Sequence, residues 1–557
     1  MPDYSQPMAR PWEALYPPHW RAFDRVTDAL MLFRETVAAR GDATAITYFD
    51  ARLTWHDVDR ESDALACWLA ARKVVAGDRV VILFQNIPQF VPVVLAIWKI
   101  GAIPVPGNPL YREAELARLF ADCHPAAVFA QTDQAAVAHA ALHSASLDVP
   151  LLAASASAYQ TRNPALLPED APLPACAIDL AAAIAACTGE HPPAVAIDPA
   201  STGLIMYTSG TTGTPRGAMM RHDSIAYNSD AFCVLSHVAE VTRLFAAAPF
   251  FHITGFICHF GAAIRSGCSL ILSYRLLPDV ALDVIRDQRP TVTIAAITAY
   301  NALMSAPGAT RDDFASFEMV SSGGAPVAPA LHRELRERTG LEIQVGYGMT
   351  ETTSPAVFTP DGITIPVHPE HGALSIGIPT PGTDVIIVGD DGEIAPPGQP
   401  GELWMRGPQI MTGYWRKREE TEAALYQSWM RSGDVAVMDE AGWLYLIDRK
   451  KDVIVASGFK VWPREVEDVL YLHPAVREAA VVGAPDAYRG ETVHAYVSLK
   501  PGHAGDTEAI ATHCRERLTG YKQPRRIEIL DELPKTITGK IQRVELRKLA
   551  AQHVVDN

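Results

Sequence analysis

The apolar positions of the chain fall into short unbroken runs separated by polar and turn-forming residues. Residues 80–84, 103–105, 149–152, 203–206, 218–220 and 291–296 each read as a buried strand. The last of these is also β-branched, which favours a pleated, half-buried surface. Residues 90–100 and 181–187 read as helices. The succession over 80–105 predicts a β-α-β unit of a parallel sheet, right-handed by default. Residues 80–106 are the most apolar stretch, with Lys99 as its one charge. A membrane span needs about twenty uninterrupted apolar residues, and here Gln85, Asn86, Pro88, Gln89 and Pro92 interrupt. A core unit is therefore expected, with a membrane-contact patch as the alternative. Residues 126–200 are rich in Ala and Pro, and no chemistry is placed there.

One stretch stands out between two of these strands: Tyr207, Thr208, Ser209, Gly210, Thr211, Thr212, Gly213, Thr214, Pro215, Arg216 and Gly217. Five hydroxyl side chains and two glycines occupy positions 207–213. Glycines permit close backbone approach, and consecutive N–H groups in such a turn form an anion nest. Arg216 adds a fixed positive charge. The chemistry suits a polyphosphate; the plain alternative is a Ser/Thr/Gly surface loop. It is not a Walker A loop, because Pro215 and a strand stand where Lys-Ser/Thr and a helix should be. The next helix is expected to be capped near Asp223 or Ser224.

These eleven residues resemble the phosphate loop of the adenylate-forming superfamily: acyl- and aryl-CoA synthetases, luciferases and peptide-synthetase adenylation domains. That family usually has Lys where this chain has Arg216, a planar fork in place of a mobile point charge. More of the chain is similar to the same family. Ser321 to Pro326 and Gly346-Tyr347-Gly348-Met349-Thr350-Glu351 are expected as turns after strands, where open α/β sheets bind ligands. The resemblance implies that Tyr347 stacks on adenine, with Gly323, Gly324 and Ala325 on its other face. It places Gly346, Gly348, Met349 and Thr350 at the nucleotide as well. Glu351 would hold Mg²⁺ with Thr208, a donor set that suits a hard ion when phosphate oxygens complete it. Asp434, which taken alone reads as a solvated turn residue, would accept the ribose hydroxyls. Arg449 would contact the nucleotide. Lys540, in the Thr538-Gly539-Lys540 motif, would bridge the attacking carboxylate and the α-phosphate.

The acyl pocket implied by the resemblance uses His252, Thr254, Gly255, Phe256 and Gly323. Read without it, His252 beside Phe250 and Phe251 is an ordinary core histidine, and Gly255 with Gly323-Gly324 leaves pocket space. Gly458, Phe459 and Lys460 would line the CoA path, and Lys451 would be the hinge. Asp448 stands where the family commonly has Gly. The chain is thus expected to have an α/β fold. A large N-terminal domain (1–448) would hold stacked α/β sheets and a β-barrel-like subdomain. A hinge (449–452) would lead to a small mobile α+β domain (453–557).

Length and charge agree with this. A chain of 557 residues suggests several domain-sized units. Its net charge of −16 and lack of a basic block exclude a general nucleic-acid binder, so sites for ATP and CoA must be locally positive. Eight scattered cysteines without a Cys-x-x-Cys argue against disulfide or cysteine–zinc frameworks and for a reducing cytoplasm. The N-terminus does not read as a signal peptide. No transmembrane segment is expected; peripheral membrane contact stays open, and a homodimer is implied only by the family.

The activity so implied is ATP-dependent acyl-CoA ligation with Mg²⁺. Arg10-Pro11-Trp12, Asn108-Pro109-Leu110-Tyr111 and the 448–463 block resemble medium- to long-chain fatty acyl-CoA synthetases. A cyclic, aromatic or steroid side-chain acid is the alternative substrate. Other readings are an enzyme loading a separate carrier protein, none being expected in the short segment after Lys540, and a non-catalytic sensor.

Overall fold

The computed structural model describes residues 9–161, 167–208, 215–456, 459–486, 490–503, 505–536 and 540–555. Its first sheet is parallel and five-stranded, in the order Ile103–Pro106, Arg79–Leu83, Ala127–Gln131, Leu151–Ala154 and Ala177–Asp179. Helix Phe90–Lys99 crosses between the first two of these strands in chain order, as the apolar pattern predicts, and every one of its residues is buried. That burial leaves no apolar face there for a membrane. Lys99 is accommodated by two carboxylates, with Nζ 2.6 Å from Asp59 Oδ1 and 2.5 Å from Asp63 Oδ1. Trp98 Nε1 donates to Gly203 O at 2.7 Å and so ties this unit to the strand before the hydroxyl-rich loop. Among the described residues no helix is long and apolar enough to cross a membrane. All eight cysteines are free.

A second sheet carries fourteen strands. Thr44–Tyr48, Ser269–Leu272, Arg243–Phe245, Val292–Ala295, Met319–Ser322 and Ile343–Met349 run parallel. From there the path continues antiparallel through Ser354–Phe358, Ser375–Pro379, Leu444–Arg449, Trp429–Met438, Gly401–Arg406 and Asp384–Val388. The switch lies inside one strand. Residues 343–345 pair parallel with 320–322, and residues 346–349 pair antiparallel with 354–358. A three-stranded antiparallel sheet, Thr202–Thr208, Arg216–Arg221 and Gly413–Tyr414, brings the hydroxyl-rich loop beside the second sheet. The following helix, His222–Leu235, starts slightly before the expected cap. Its first N–H groups are satisfied by the preceding chain (His222 N to Ser201 O, Asp223 N to Pro199 O), so no capping side chain is required.

The C-terminal sheet has the order Phe459–Val461, Ile454–Ala456, Gly490–Leu499 and Val476–Asp486, with Arg526–Ile529 added parallel to Gly490–Leu499. Helices Pro463–Tyr471 and Arg543–Val555 pack on strand Val476–Asp486. Buried charge fastens this unit to the rest. Arg543 reaches both oxygens of Glu467 at 2.8 Å, Asp448 Oδ1 at 3.1 Å and Asp452 Oδ2 at 3.3 Å. Arg547 reaches Asp452 Oδ1 at 2.6 Å. Arg464 spans the junction too, with its N–H on Asp448 Oδ2 and its guanidinium on the carbonyls of Leu446 and Val327. Asp448, which departs from the family's usual Gly, is therefore the buried acceptor on which Arg464 and Arg543 converge.

Removing one partner of a buried charge network leaves uncompensated charge and costs about 3–5 kcal/mol. Arg543→Ala is accordingly expected to lower the urea midpoint of the C-terminal unit by that equivalent, with Arg543→Lys falling between. An unchanged midpoint in Arg543→Ala would remove the network as the fastening.

Candidate active site

The strand that switches pairing, Ile343–Met349, also begins the site. Tyr347 lies in its antiparallel half, not in a turn after it as the sequence suggests. The glycine beside it is demanded by the backbone: a Cβ on Gly348 would come within 2.0 Å of Ser354 O. The Tyr347 hydroxyl donates to Asp434 Oδ2 at 2.6 Å. Asp434 is correspondingly not a solvated turn residue. It sits in strand Trp429–Met438, opposite Arg449, and is buried. Burial pushes its carboxyl up from the ordinary range, against the pull of Arg449, whose Nε lies 3.6 Å from Oδ1, and of the Tyr347 hydrogen bond. Burial and the Asp434 charge hold the Tyr347 phenol well above its usual range.

Past Met349 the chain makes a short 3₁₀ turn, Thr350–Thr352, which carries Glu351 into a buried position. Met411 N donates to the Glu351 carbonyl at 2.9 Å. The Tyr414 hydroxyl donates to Glu351 Oε1 at 2.6 Å. Thr208 and Arg216 pair across the three-stranded sheet at the mouth of the hydroxyl-rich loop, with Thr208 Oγ1 3.4 Å from Arg216 O. The Arg216 guanidinium lies 4.7 Å from the centre of the Tyr414 ring, and among the described residues its buried Nε has no hydrogen-bond partner. Ser209, Gly210, Thr211, Thr212 and Gly213 lie outside the described residues, as does Gly458.

Lys540 reaches this cleft from the C-terminal unit. Its loop is closed by Thr536 N to Lys540 O at 2.7 Å and Lys540 N to Thr536 Oγ1 at 3.1 Å. The side chain lies over Gly324, at the end of strand Met319–Ser322: a Cβ there would stand 3.3 Å from Lys540 Cε and 3.6 Å from Nζ. Gly324 has φ +79°, the left-handed region that favours glycine. Gly323 is anchored by its N–H to Ala295 O at 3.3 Å, and Ala325 follows at the same strand end. Burial foremost and the Arg449 charge next lower the Lys540 amine to about 8, with Asp434 and Glu351 opposing the shift. Lys540 also acts on His252, which burial foremost and this cation next hold down at about 3. His252 is thus a neutral imidazole, its Nδ1 accepting from Thr254 N at 3.3 Å.

The remaining expected residues divide. Gly255 is glycine for a different reason from pocket space, since a Cβ would lie 2.1 Å from Pro249 O. Phe256 is fully buried against Phe90, Trp98 and Phe260. Phe459 and Lys460 are exposed on strand Phe459–Val461. Phe459 stacks on Tyr521 with centroids 4.8 Å apart, and Lys460 Nζ reaches Asp390 Oδ2 at 3.0 Å. Lys451 is an exposed turn residue beside Arg449.

Glu351 and Thr208 are chemically suited to Mg²⁺: one carboxylate oxygen is taken by Tyr414, and among the described residues no hydrogen bond occupies the other. Sequence reasoning missed Tyr414 as part of this site. Its signal was the Gly413-Tyr414-Trp415 motif, but only the antiparallel pairing of 413–414 with 218–219 reveals what the hydroxyl touches.

Comparison with known proteins gives a consistent result. The model of the AMP-binding enzyme family matches residues 33–415, and that of the AMP-binding enzyme C-terminal domain matches residues 465–540. A long-chain-fatty-acid–CoA ligase of Bacillus subtilis (strain 168) is 34% identical over 553 residues, covering 96% of this chain and 97% of the relative. A feruloyl-CoA synthase of an Amycolatopsis species is 34% identical over 508 residues, covering 91% and 96%. The crystal structure of the anthranilate CoA ligase AuaEII with anthranoyl-AMP superposes with a TM-score of 0.85 at 25% identity, covering 96% of this chain and 99% of that one.

The charges around Lys540 make its titration a direct probe of the cleft. In a ¹³C-methyl NMR titration of reductively methylated protein, the Lys540 signal is expected near 8, well below surface lysines. Arg449→Met removes a repelling cation and should move the midpoint up. Asp434→Asn removes an attracting anion and should move it down. A midpoint unmoved by either substitution would place Lys540 elsewhere.

Proposed function

The chain belongs to the AMP-binding enzyme family and is an AMP-forming acyl-CoA synthetase, and from that premise we propose that it joins a medium- or long-chain fatty acid to CoA through an acyl-adenylate. The observation that carries the reading is Lys540 lying over Gly324, under the electrostatic influence of Asp434, Arg449 and Glu351. A cation delivered there stabilises charge that develops when a carboxylate attacks the α-phosphate of ATP. The attack forms the acyl–phosphate bond and releases pyrophosphate. Asp434 accepts from the ribose hydroxyls, a task open to an acceptor-only carboxylate, and Tyr347 lies along adenine against Gly323-Gly324-Ala325. Ser209 to Gly213 and Arg216 hold the phosphates. Neutral His252 donates or accepts at the acid without titrating in the working range.

Mg²⁺ would be held by Glu351 and Thr208, where it would screen the phosphate charge. Tyr414 is a positioning residue for that arrangement. Its hydroxyl fixes one Glu351 oxygen, and its ring carries the Arg216 guanidinium. The substitution of Arg for the family's Lys is accommodated in this way, since a guanidinium stacks on an aromatic face where an ammonium would remain hydrated. For the second half-reaction the C-terminal unit turns about Lys451. Lys540 withdraws, and Gly458, Phe459 and Lys460 come to the adenylate. The CoA sulfur then attacks the acyl carbon, its proton leaves, and AMP departs. That motion must break the Lys460–Asp390 and Lys500–Glu334 ion pairs and the Arg543–Asp448 contact.

For the acid, the fatty-acid reading rests on a relative matching 96% of the chain. A second reading, an aromatic acid, is favoured by the feruloyl-CoA synthase at equal identity and by the anthranilate ligase structure. Pyrophosphate release over a panel of fatty, benzoate-type and cinnamate-type acids, with and without CoA, separates them. Release rising with chain length and CoA-dependent AMP formation are expected. Preference for ring acids would overturn the fatty-acid reading, and AMP formation indifferent to CoA would overturn the ligase reading. In the same assay Lys540→Ala should lose pyrophosphate release yet still form thioester from supplied acyl-AMP.

Tyr414→Phe is expected to weaken Mn²⁺ binding to the protein–nucleotide complex, read by electron paramagnetic resonance, by about tenfold, the effect typical of losing an outer-shell hydrogen bond. Its Mg²⁺ requirement for pyrophosphate release should rise in parallel while the KM for the acid stays put. Unchanged Mn²⁺ affinity would reduce Tyr414 to a packing residue.

A further inference from the structure

Three side chains from distant parts of the chain meet at a second place, unrelated to the motifs above. His19 comes from the N-terminal segment, within the turn closed by Trp20 N to Pro17 O. His237 follows the end of helix His222–Leu235, and Asp361 lies in the loop after strand Ser354–Phe358. One ligand atom from each falls within 4.8 Å of the others. His237 Nε2 is 3.1 Å from Asp361 Oδ2, and His19 Nε2 is 3.7 Å from Asp361 Oδ1. The two imidazole rings lie with centroids 4.4 Å apart and planes tilted by 38°.

His237 and Asp361 share a hydrogen bond at that 3.1 Å contact, but the other half of the group is not satisfied in the same way. His19 Nε2 and Asp361 Oδ1 are both buried from solvent and, among the described residues, neither has a hydrogen-bond partner, although they lie only 3.7 Å apart. Buried polar atoms left unpaired cost free energy, and native structures keep few of them. Two ligands each about 2.0–2.2 Å from one ion stand roughly 3.3–3.5 Å apart in a tetrahedral arrangement. The observed 3.1 and 3.7 Å separations bracket that spacing. A shared cation would satisfy both orphaned atoms at once, and a small closure would bring all three donors into range.

We propose that His19, His237 and Asp361 form a binding site for a zinc-type divalent transition-metal ion. Two imidazoles and one carboxylate select such a metal over Mg²⁺ or Ca²⁺, which prefer oxygen donors throughout. Three protein ligands leave a fourth position for water. The consequence is structural. The ion fastens the N-terminal segment, whose Trp12 and Trp20 are buried in the main core, to the end of helix His222–Leu235 and to the loop beyond strand Ser354–Phe358. Binding energy at a site built from three separated segments becomes folding energy.

The test uses the full chain, stripped with a chelator and free of nucleotide, with Zn²⁺ and Co²⁺ as probes. Wild type is expected to retain one equivalent of either ion through gel filtration, to show a visible Co²⁺ d–d band, and to melt at higher temperature with Zn²⁺. Asp361→Asn, which keeps the shape of the side chain, and His237→Gln should each weaken retention by at least about tenfold, the scale on which metal sites respond to altered support. Both should lose the Zn²⁺ effect on melting and keep Mg²⁺-dependent pyrophosphate release. Should His237→Gln misfold, Asp361→Asn decides alone. No retained metal in wild type overturns the proposal, and so does retention by Asp361→Asn equal to that of wild type.

Discussion

The structure depends on a change of hydrogen-bonding direction inside one strand. Up to Val345, strand Ile343–Met349 belongs to a parallel sheet; from Gly346 it pairs antiparallel with Ser354–Phe358. Parallel strands present their carboxyl ends to ligands, and antiparallel ones can be joined by tight returns. The switch lets a single segment do both. Tyr347 is held beside the end of strand Met319–Ser322, where Gly323 and Gly324 lie. The 3₁₀ turn that follows delivers Glu351. The antiparallel continuation then brings back Asp434 and Arg449 on adjacent strands, opposite one another. Four of the groups assigned to nucleotide and metal are thus set by one continuous hydrogen-bonded path.

The glycines along that path are explained by backbone contact as well as by ligand access. Gly346 would meet the Phe358 ring and Gly348 the Ser354 carbonyl if either carried a Cβ. Gly377, with φ +108°, would meet the Phe358 backbone. The antiparallel strands are drawn so close that side chains are excluded. Gly324 differs: its left-handed backbone, φ +79°, favours glycine, and the nearest group a Cβ would meet is the far end of Lys540.

Charge at the junction with the C-terminal unit is distributed by burial. Asp448, Asp452, Glu467, Arg543 and Arg547 form a buried cluster at the junction, in which each acid is matched by a guanidinium. The exposed pair Lys460–Asp390 and the half-buried pair Lys500–Glu334 lie outside that cluster, and the exposed one is of the kind worth little in water. Lys540 is desolvated and repelled by Arg449, with Asp434 and Glu351 attracting it.

Much was determined by the sequence alone. The β-α-β unit at 79–106 followed from the apolar runs, because a parallel strand buried on both faces must be continuously apolar. The family and the identities of Glu351, Asp434, Arg449 and Lys540 as candidates followed from motifs in fixed order. Other features were decided only by tertiary structure. Asp434 reads locally as a turn residue, yet it is a buried strand residue, because its Arg431-Ser432-Gly433 neighbourhood is taken up in antiparallel pairing that no local pattern encodes. Gly255 reads as room for a substrate, while the space its Cβ would need is already filled by a carbonyl from Pro249. Arg543 and the His19–His237–Asp361 group carry no local signal, and the Gly413-Tyr414-Trp415 motif does not say what the Tyr414 hydroxyl touches. Their partners lie tens to hundreds of residues away, and a hydrogen bond or ion pair across that separation exists only once the sheets have set the distances.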